Sequence, residues 1–578
     1  MLPKYLYSKV EWQEKNNHII HSLDFNGTYT NEFFSISYNS LDSISYYDIY
    51  LKQSIKIVSI STFYSYFIPE ESVIFCNGFQ SWTHSREFKT NERLLSYFPL
   101  AKKFSFPYGD RILHNYSNKS GEFHGWGYGY VRTHESSLFI GSLDERQGHT
   151  LLKFNVRKGS IELKKEVQIT KSNEESSIGK HFIQTGSLEY VFKEWFKKLN
   201  LKFSFNKTVF GWTSWYNYYT SINEKIITHN LESIQKFDEI KFFQIDDGWQ
   251  KSVGVWEVDE KKFPKGLQVI TQRCVELGKS PGLWLAPYIV EEKSSLMIDH
   301  PDWILRDSKG AMVKAGYNNG WSGHFYALDF YNEEFRNYLA QTLKRICYDW
   351  GFMLLKIDFL YAAAIYPQKE KSRGRVMYEA LEWIKATIPD IKILACGTPI
   401  LQAIGTTDYC RIGPDISLGW IDRLSHIFNL REGISTVKCI QNTLYRRQLN
   451  AAVLGSDPDV FILRKENNTL TKGQKLSLLI VNCLFGSLCF TSDDLSNYGE
   501  EEINRLQMGF MLKDAEDISI SNTDNLFTVF FRCLHHSYMF VCNVDEKKTE
   551  TYSGKKLYPG DCLIYRKLEE PEWELMDL

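Results

Sequence analysis

The chain has 578 residues, of which 43% are hydrophobic and 24% charged, and its formal net charge is -2. This length predicts two to four domains, and the near-neutral charge argues against a basic nucleic-acid face or a polybasic membrane anchor. No apolar run reaches about 18 residues, and the N-terminus lacks an apolar signal core. The 11 Cys include no C-x-x-C pair. We therefore expect a cytoplasmic protein with reduced thiols.

Residues 1–195 carry the pattern of an antiparallel β domain. Short runs there alternate in polarity or are rich in β-branched and aromatic residues, and Gly, Asn, Ser and Asp separate them. The clearest runs are "EFFSISY", "SIKIVSI", "SVIFC", "SLFIGSL" and "SIELKKEVQI". These patterns predict a large antiparallel β-sandwich. The high aromatic content, 15%, is typical of large β domains and also of proteins that bind partly apolar ligands.

Residues 196–514 alternate between short apolar runs and helical patterns. The strand candidates are "TVFGWTSW", "KFFQIDDGW", "SPGLWLAPY", "FMLLKIDFL", "KILACGTP", "DYCRIGPD", "AAVLGSDPD" and "SLCFTSDD". Eight such units predict a central (β/α)8 TIM barrel. A doubly wound open sheet is the alternative, but no G-x-G-x-x-G follows the first strand. Residues 515–578 return to strand patterns and predict a small C-terminal antiparallel β domain.

Polar residues cluster where the predicted barrel strands end, which is where TIM barrels place their chemistry. Lys356 and Asp358 are two apart in an apolar strand, so both face the same side. The other strand-end residues are Trp215, Asp246, Asp247, Trp284, Cys396, Arg411, Asp415, Asp457, Asp459, Asp493 and Asp494. Any one Asp can instead cap the next helix, and we expect Asp493 and Asp494 to be caps or loop carboxylates.

Several carboxylates, two cations and several Trp rings at one barrel mouth suit a sugar. Carboxylates accept hydrogen bonds from adjacent hydroxyls, and two opposed carboxylates are the machinery of glycosidases. A divalent metal is the alternative ligand for such an acidic cluster, although Lys356 and Arg411 would repel it. We expect no metal and no cofactor.

The motifs "GWTSW", "FFQIDDGW", "PGLWLAPY", "YALDF", "LLKIDFL", "CGTP", "RIGPD" and "DPDVFILR", in this order, resemble glycoside hydrolase family 36 α-galactosidases and, more distantly, family 27. This resemblance implies that residues 1–195 form an N-terminal β-supersandwich. It also implies a retaining enzyme with Asp358 as nucleophile and Asp415 as general acid/base. It also implies that Asp246 and Asp247 bind the 4- and 6-hydroxyls of the sugar. The remaining substrate-binding residues that it implies are Trp82, Trp215, Trp284, Lys356, Cys396, Arg411 and Asp459.

The implied mechanism makes three electrostatic expectations. Lys356 should lower the pKa of Asp358, and nearby negative charge should keep a proton on Asp415. Arg411 should orient Asp415 or contact the 2-hydroxyl of the sugar, because direct contact with the carboxylate would oppose protonation.

The sequence departs from the family where "GYNNGWSGHFYALD" lacks an Arg that many relatives carry before "YALD". "CGTPILQAIG" also follows the shorter form of the fifth-strand region, which meets the C2 substituent. The expected partner is an α-galactoside oligosaccharide such as melibiose or raffinose. The alternatives are an α-N-acetylgalactosaminidase, a transglycosylating raffinose-synthase-like enzyme, a non-catalytic sugar-binding protein and a metal-dependent barrel. The sequence leaves open whether the protein forms a homo-oligomer.

Overall fold

In the computed structural model, which describes residues 2–14, 19–98, 108–170, 175–201, 208–568 and 572–576, the N-terminal segment forms two antiparallel sheets. The six-stranded sheet has the order Ile20–Phe25, Lys4–Glu14, Ile55–Ser65, Ser160–Ile169, Thr150–Asn155 and Glu122–Trp126. The eight-stranded sheet has the order Thr28–Thr30, Phe34–Leu41, Ile44–Leu51, Glu175–Gly186, Ser137–Ser142, Tyr128–Arg132, Val73–Cys76 and Arg86–Lys89. Two 3-10 turns, Arg111–Asn115 and Glu145–Gln147, lie between strands.

A helix, Leu188–Leu199, joins these sheets to the next segment. Ser187 caps it by accepting a hydrogen bond from the backbone N–H of Tyr190. Trp195, fully buried, donates its indole N–H to the carbonyl of Ser142 at 3.1 Å, so the helix packs on the N-terminal sheets. The boundary predicted after residue 195 falls inside this helix.

The central segment forms a ring of parallel strands. They are β1 Val209–Thr213, β2 Ile240–Ile245, β3 Ser280–Leu285, β4 Leu354–Ile357, β5 Lys392–Ala395, β6 Tyr409–Arg411, β7 Gly455–Asp457, β8 Val460–Phe461 and β9 Leu488–Thr491. β7 pairs with β6, β8 pairs with β9, and β9 pairs with β1. β7 and β8 together fill one position, so the ring has eight positions and is a TIM-like barrel.

Helices lie between these strands and after the last one. The helices are Trp215–Tyr218, Glu224–Ser233, Gln268–Glu276, Ser295–Asp299, Glu333–Lys344, Arg373–Thr387, Ile400–Ala403, Arg423–Ile427, Thr436–Tyr445, Lys472–Phe485 and Glu500–Leu512. Helix Glu333–Lys344 continues as a π-helical turn, Arg345–Asp349. Short 3-10 turns are Pro301–Trp303, Leu360–Ala364, Arg447–Leu449 and Leu495–Asn497.

Two strand insertions were not predicted. A hairpin, Gln250–Ser252 with Val255–Val258, follows β2. A three-stranded sheet, in the order Ile289–Glu291, Gly323–Ala327 and Lys314–Asn318, follows β3. Both lie at the carboxyl ends of barrel strands, where loops shape a pocket.

The C-terminal segment forms a five-stranded antiparallel sheet and a small hairpin. The sheet contains Glu516–Thr523, Leu526–Cys533, His536–Asn543, Cys562–Lys567 and Trp573–Leu575, and the hairpin contains Glu550–Tyr552 and Lys555–Leu557. Ser477 and Gln474 of a barrel helix donate hydrogen bonds, both 2.8 Å, to carbonyls of this segment. Among the described residues, no helix has the length and apolar character that a membrane crossing needs.

Candidate active site

A buried ion pair links the ends of β4 and β2. The ammonium of Lys356 donates to Oδ2 of Asp246 at 2.9 Å, and both side chains are buried. Asp246 also accepts hydrogen bonds from Gln244 at 2.9 Å and Thr213 at 3.4 Å. Lys356 therefore has Asp246, and not Asp358, as its direct carboxylate partner.

Asp358 lies directly after β4 and accepts three hydrogen bonds. The backbone N–H of Phe359 donates to Oδ1 at 2.9 Å, and the Trp284 indole donates to Oδ2 at 3.1 Å. The Cys396 thiol, at the end of β5, also donates to this carboxyl. Phe359 has a φ of 53°, a strained value for a residue with a side chain. Donors from β3, β4 and β5 thus hold one carboxyl in a fixed orientation.

Lys356 lowers the pKa of Asp358, as expected, but the net shift of this pKa is upward. Burial raises the pKa of Asp358 above its ordinary value, and this outweighs the lowering by Lys356 and by the hydrogen bonds from Trp284 and Cys396. Asp415 also raises this pKa, so the two carboxyls are close enough to interact. The charge of Lys356 moderates the burial cost without removing it.

Arg411, at the end of β6, forms ion pairs with three carboxylates. Its Nε contacts Asp457 at 2.9 Å, its Nη1 contacts Asp415 at 2.8 Å and its Nη2 contacts Asp459 at 2.9 Å. Arg411, Asp457 and Asp459 are buried, whereas the Asp415 side chain is 38% exposed. Asp415 is therefore the member of this cluster that a ligand can reach.

The direct contact between Arg411 and Asp415 corrects the expectation that Arg411 would avoid this carboxylate. A guanidinium buried here needs negative partners on each edge, and Asp415 supplies one of them. The guanidinium charge of Arg411 is shared among Asp415, Asp457 and Asp459, so Asp415 is not its only partner.

Asp459 lies in the break between β7 and β8 with a φ of 72°. Burial raises its pKa to about 7, with Arg411 opposing and Asp415 and Asp457 adding to the rise. Its Oδ2 accepts hydrogen bonds from the Tyr216 hydroxyl and, at 2.8 Å, from the backbone N–H of Ile416. The split seventh strand thus turns a carboxyl toward Arg411.

Asp247, beside Asp246, is held by two side chains from the loops. Gln250 donates to Oδ1 at 2.6 Å and the Trp321 indole donates to Oδ2 at 2.8 Å. Burial raises the pKa of Asp247 to about 6, and the two hydrogen bonds lower it. Trp321 is half-buried and packs near Trp284, with ring centroids 6.3 Å apart. It stands between Asp247 and solvent.

The N-terminal segment reaches the barrel mouth through Trp82. The Trp82 indole donates to the Cys396 sulfur at 3.2 Å, and its ring packs against Phe359 at 5.5 Å. A side chain at position 397 would clash, because a Cβ on Gly397 would lie 2.9 Å from the Trp82 ring. Trp82 therefore lies beside the segment that carries Asp358.

A buried arginine fixes the turn that carries Trp82. Arg446 donates to the Asn77 side chain at 3.0 Å and to the carbonyls of Ser81 at 2.8 Å and Ile412 at 2.6 Å. It therefore joins the N-terminal turn to the segment that follows β6. The position of Trp82 therefore depends on how the N-terminal sheets pack against the barrel.

The remaining predicted residues, Trp215, Asp493 and Asp494, follow the ends of β1 and β9. Trp215 begins a short helix after β1, is half-buried, and packs edge-on against Tyr219 at 5.1 Å. Asp494 caps the 3-10 turn that follows it, as expected. Asp493 accepts from the Arg464 guanidinium at 2.6 Å and binds the loop after β8. Both are structural carboxylates.

Sequence reasoning missed Tyr216 and Trp321. Tyr216 is adjacent to Trp215, which was chosen for its ring, but Tyr216 carries the polar contact to Asp459. Trp321 lies in "YNNGWSGHF", which was singled out only because it lacks an Arg that many relatives carry there. A Trp in a polar loop shortly before the "YALDF" motif is the signal that was available.

Two further observations define what surrounds the site. Among the described residues, no group of three or more His, Cys, Asp or Glu is arranged to hold a metal ion. A cavity of about 940 Å³ lies elsewhere, between the N-terminal sheets and the C-terminal sheet, and none of the predicted site residues lines it. Its charges are largely paired with each other, as in Arg86–Glu92 at 2.6 Å and Lys89–Asp524 at 2.7 Å.

Residues 186–398 match the family model described as Melibiase. This range contains Asp246, Asp247, Lys356, Asp358 and Cys396, and Arg411 and Asp415 lie beyond its end. The chain is 29% identical to α-galactosidase 1 of Pediococcus pentosaceus over 177 residues, 27% of this chain and 23% of that protein. It is 25% identical to an α-galactosidase of Escherichia coli over 187 residues, 29% of this chain and 25% of that protein. The aligned segments span about a quarter of these relatives.

Solved structures resemble nearly the whole chain. An α-galactosidase from Thermus thermophilus, in complex with p-nitrophenyl α-D-galactopyranoside, has a TM-score of 0.69 and 26% identity. The match covers 89% of this chain and 98% of that one. A family 36 α-galactosidase from Geobacillus stearothermophilus shares the fold, with a TM-score of 0.63, 12% identity and coverage of 97% and 83%. Together these similarities support a glycoside hydrolase related to the α-galactosidases.

Proposed function

We propose that the protein is a retaining, exo-acting α-galactosidase of glycoside hydrolase family 36, in the clan shared with family 27. It would hydrolyse terminal α-D-galactosyl residues of small oligosaccharides such as melibiose and raffinose. The observation that carries this proposal is the contrast between Asp358, oriented by donors from three strands, and Asp415, a partly exposed carboxyl near enough to shift its pKa.

In the first step, a carboxylate oxygen of Asp358 attacks the anomeric carbon from the β face. The bond to the leaving oxygen breaks as Asp415 donates its proton to that oxygen, giving a β-galactosyl ester on Asp358. In the second step, Asp415 takes a proton from water, and the water oxygen attacks the anomeric carbon and releases Asp358. Two inversions return the α anomer.

Asp358 suits the nucleophilic role because its orientation is fixed before the substrate arrives. Three donors stabilise its ionised form, while burial raises its pKa and strips away the water that would weaken a nucleophile. Its reactivity is thus set by a balance between burial and donor contacts.

The adjacent carboxylates of Asp246 and Asp247 support recognition of galactose. Asp247 has one donor on each oxygen, and Oδ1 of Asp246 accepts only from the backbone N–H of Asp247 among the described residues. These three oxygens keep lone pairs to which two neighbouring hydroxyls can donate. An axial 4-hydroxyl would use both carboxylates, whereas an equatorial one would leave a buried carboxylate unpaired. The Thermus neighbour, whose structures include complexes with stachyose and a nitrophenyl galactoside, supports this substrate class.

A panel of nitrophenyl α-glycosides tests the proposal. We expect the α-galactoside to be preferred over the α-glucoside by about 10⁴-fold in kcat/KM, the order found when a site built for a hydroxyl loses it. Proton NMR of the first-formed product should show α-galactose before mutarotation. Comparable rates on the two sugars would contradict the galactose site. Faster cleavage of the N-acetyl analogue would make the enzyme an α-N-acetylgalactosaminidase.

A further inference from the structure

We infer that Tyr216 is a positioning residue that acts through Asp459 and Arg411 on how readily Asp415 gives up its proton. This inference rests on the proposed function, because it assigns to Asp415 the role of general acid. Tyr216 does not touch Asp415 through any hydrogen bond in the structure's described part. Its effect passes through two intermediate groups.

The four residues form one connected chain of contacts. The Tyr216 hydroxyl donates to Oδ2 of Asp459, and Oδ1 of Asp459 lies 2.9 Å from Nη2 of Arg411. Nη1 of the same guanidinium lies 2.8 Å from Oδ1 of Asp415. Tyr216, Asp459 and Arg411 are buried, so bulk water screens these interactions little. A change at one end is therefore felt at the other.

The charge of this cluster explains why the chain matters. Arg411 alone would favour the ionised form of Asp415, which is the wrong form for a general acid. With Asp457 and Asp459 both ionised, the guanidinium and its two buried partners together carry one negative charge. A proton on Asp459 would cancel that charge, and the cluster would then release the proton of Asp415 more readily. Asp459 and Asp415 thus compete for one proton across Arg411.

Tyr216 biases this competition. A phenol that donates to Oδ2 stabilises ionised Asp459, and the backbone N–H of Ile416 does the same at 2.8 Å. Burial, with Asp415 and Asp459, holds the pKa of Tyr216 well above its ordinary value, so this phenol remains a donor. The pKa of Asp459, about 7, lies where a lost donor changes its protonation.

The other groups that face Asp459 do not supply the same bias. Arg411 and Asp457 form the rest of the buried cluster, and Asp415 is the competing acid. From helix Thr436–Tyr445, Cys439 faces it with a thiol whose pKa burial raises well above its ordinary value, so this group stays neutral. Tyr216 is the side-chain hydroxyl that donates to Asp459 among the described residues.

The test is the pH dependence of Tyr216→Phe with two leaving groups. Losing a hydrogen bond to its charged form should raise the pKa of Asp459 by about one to two units. Through Arg411, part of this change should lower the pKa of Asp415. We expect the basic limb of the kcat/KM profile on melibiose to move to lower pH by about half a unit or more. Activity on 4-nitrophenyl α-galactoside should change less, because nitrophenolate departs with little help from an acid.

Two further variants complete the experiment. Asp459→Asn removes the negative charge itself and should move the limb in the same direction, so it decides the matter if Tyr216→Phe folds poorly. Tyr218→Phe is the matched control, because Tyr218 lies in the same helix and its hydroxyl bonds to Asn230 at 2.9 Å. Its basic limb should coincide with that of the wild type.

The outcomes separate the inference from the proposed function. An active wild-type enzyme whose Tyr216→Phe and Asp459→Asn variants keep the wild-type basic limb overturns this inference alone. An equal loss on both leaving groups at every pH would assign Tyr216 a merely structural role and would also overturn it. A wild-type enzyme without activity on any α-galactoside overturns the proposed function and this inference with it.

Discussion

Lys356 and Asp246 form a buried ion pair between β4 and β2, with 2.9 Å between Nζ and Oδ2. This pair explains why a lysine occurs two residues before Asp358 inside an apolar strand. It neutralises the carboxylate at the end of β2, which is separated from β4 by β3, and it acts on Asp358 only through space. The floor of the pocket is thus held by one cation between two carboxylates.

Replacing Lys356 by Ala should leave Asp246 buried without its cation. Breaking a buried pair from one side costs about 3 kcal/mol or more, so we expect a loss of this size in the free energy of unfolding, measured in urea. Activity on α-galactosides should fall as well. Lys251→Ala, which removes the exposed partner of Glu257, is the control and should change neither quantity. Unchanged stability of Lys356→Ala would show that the pair is not structural.

Replacing Trp321 by Phe should remove one donor from Asp247 and keep the ring. We expect kcat/KM to fall about tenfold, the size of one hydrogen bond to a charged group. The acidic limb should move to higher pH, because losing a donor raises the pKa of a carboxyl that already titrates at about 6. Trp303→Phe, which loses an indole contact to Glu334 away from the site, should keep the wild-type profile. Identical profiles for both variants would contradict the role of Trp321.

Replacing Trp82 by Ala should lower catalytic efficiency without unfolding the protein. Its indole reaches Cys396 from a turn that Arg446 anchors, so the turn should survive the loss of the ring. We expect about a tenfold fall in kcat/KM and an unchanged melting temperature. Trp573→Ala, in the C-terminal sheet, is the control for loss of a partly buried Trp. Wild-type kinetics for Trp82→Ala would make Trp82 a simple packing residue.

Stability should decrease in mild acid because of His181 in the N-terminal sheets. Burial lowers the pKa of His181 to about 4, against 6.5 when it is exposed. Between these two pKa values the unfolded chain binds a proton at His181 and the folded chain does not. The free energy of unfolding therefore decreases as pH falls from about 6.5 toward 4. Between pH 8 and pH 5 this amounts to about 2 kcal/mol.

His181→Gln should reduce this pH-dependent difference, measured by urea unfolding at the two pH values. His229→Gln is the control, because the His229 side chain is half-exposed, and it should keep the wild-type difference. An unaltered difference in His181→Gln would assign the acid sensitivity to other groups.

Much of the architecture was predictable because parallel barrel strands and their end residues leave local patterns. Each of the eight strand candidates contains a strand, and Asp246, Lys356, Asp358 and Arg411 meet at one end of the ring. A pattern does not reveal partners across strands, so the pairing of Lys356 with Asp246 was missed.

Other features depend on tertiary context. The break between β7 and β8 rests on the positive φ of Asp459, which its sequence neighbours do not dictate. The hairpin after β2 and the three-stranded sheet after β3 consist of short strands with mixed polarity, so the sequence did not predict these strands. The net rise in the pKa of Asp358 likewise depends on its burial, which is a property of the folded chain.

The most direct measurement of the central claim is the stereochemistry of azide products from two variants. Asp358→Ala should lack turnover, and azide should restore it by attacking from the vacated β face, giving β-galactosyl azide by NMR. Asp415→Ala should still form the covalent intermediate with a nitrophenyl substrate, and azide should then give the α-azide. Products of swapped configuration would reverse the two roles, and a β-azide from both variants would exclude the covalent intermediate on Asp358.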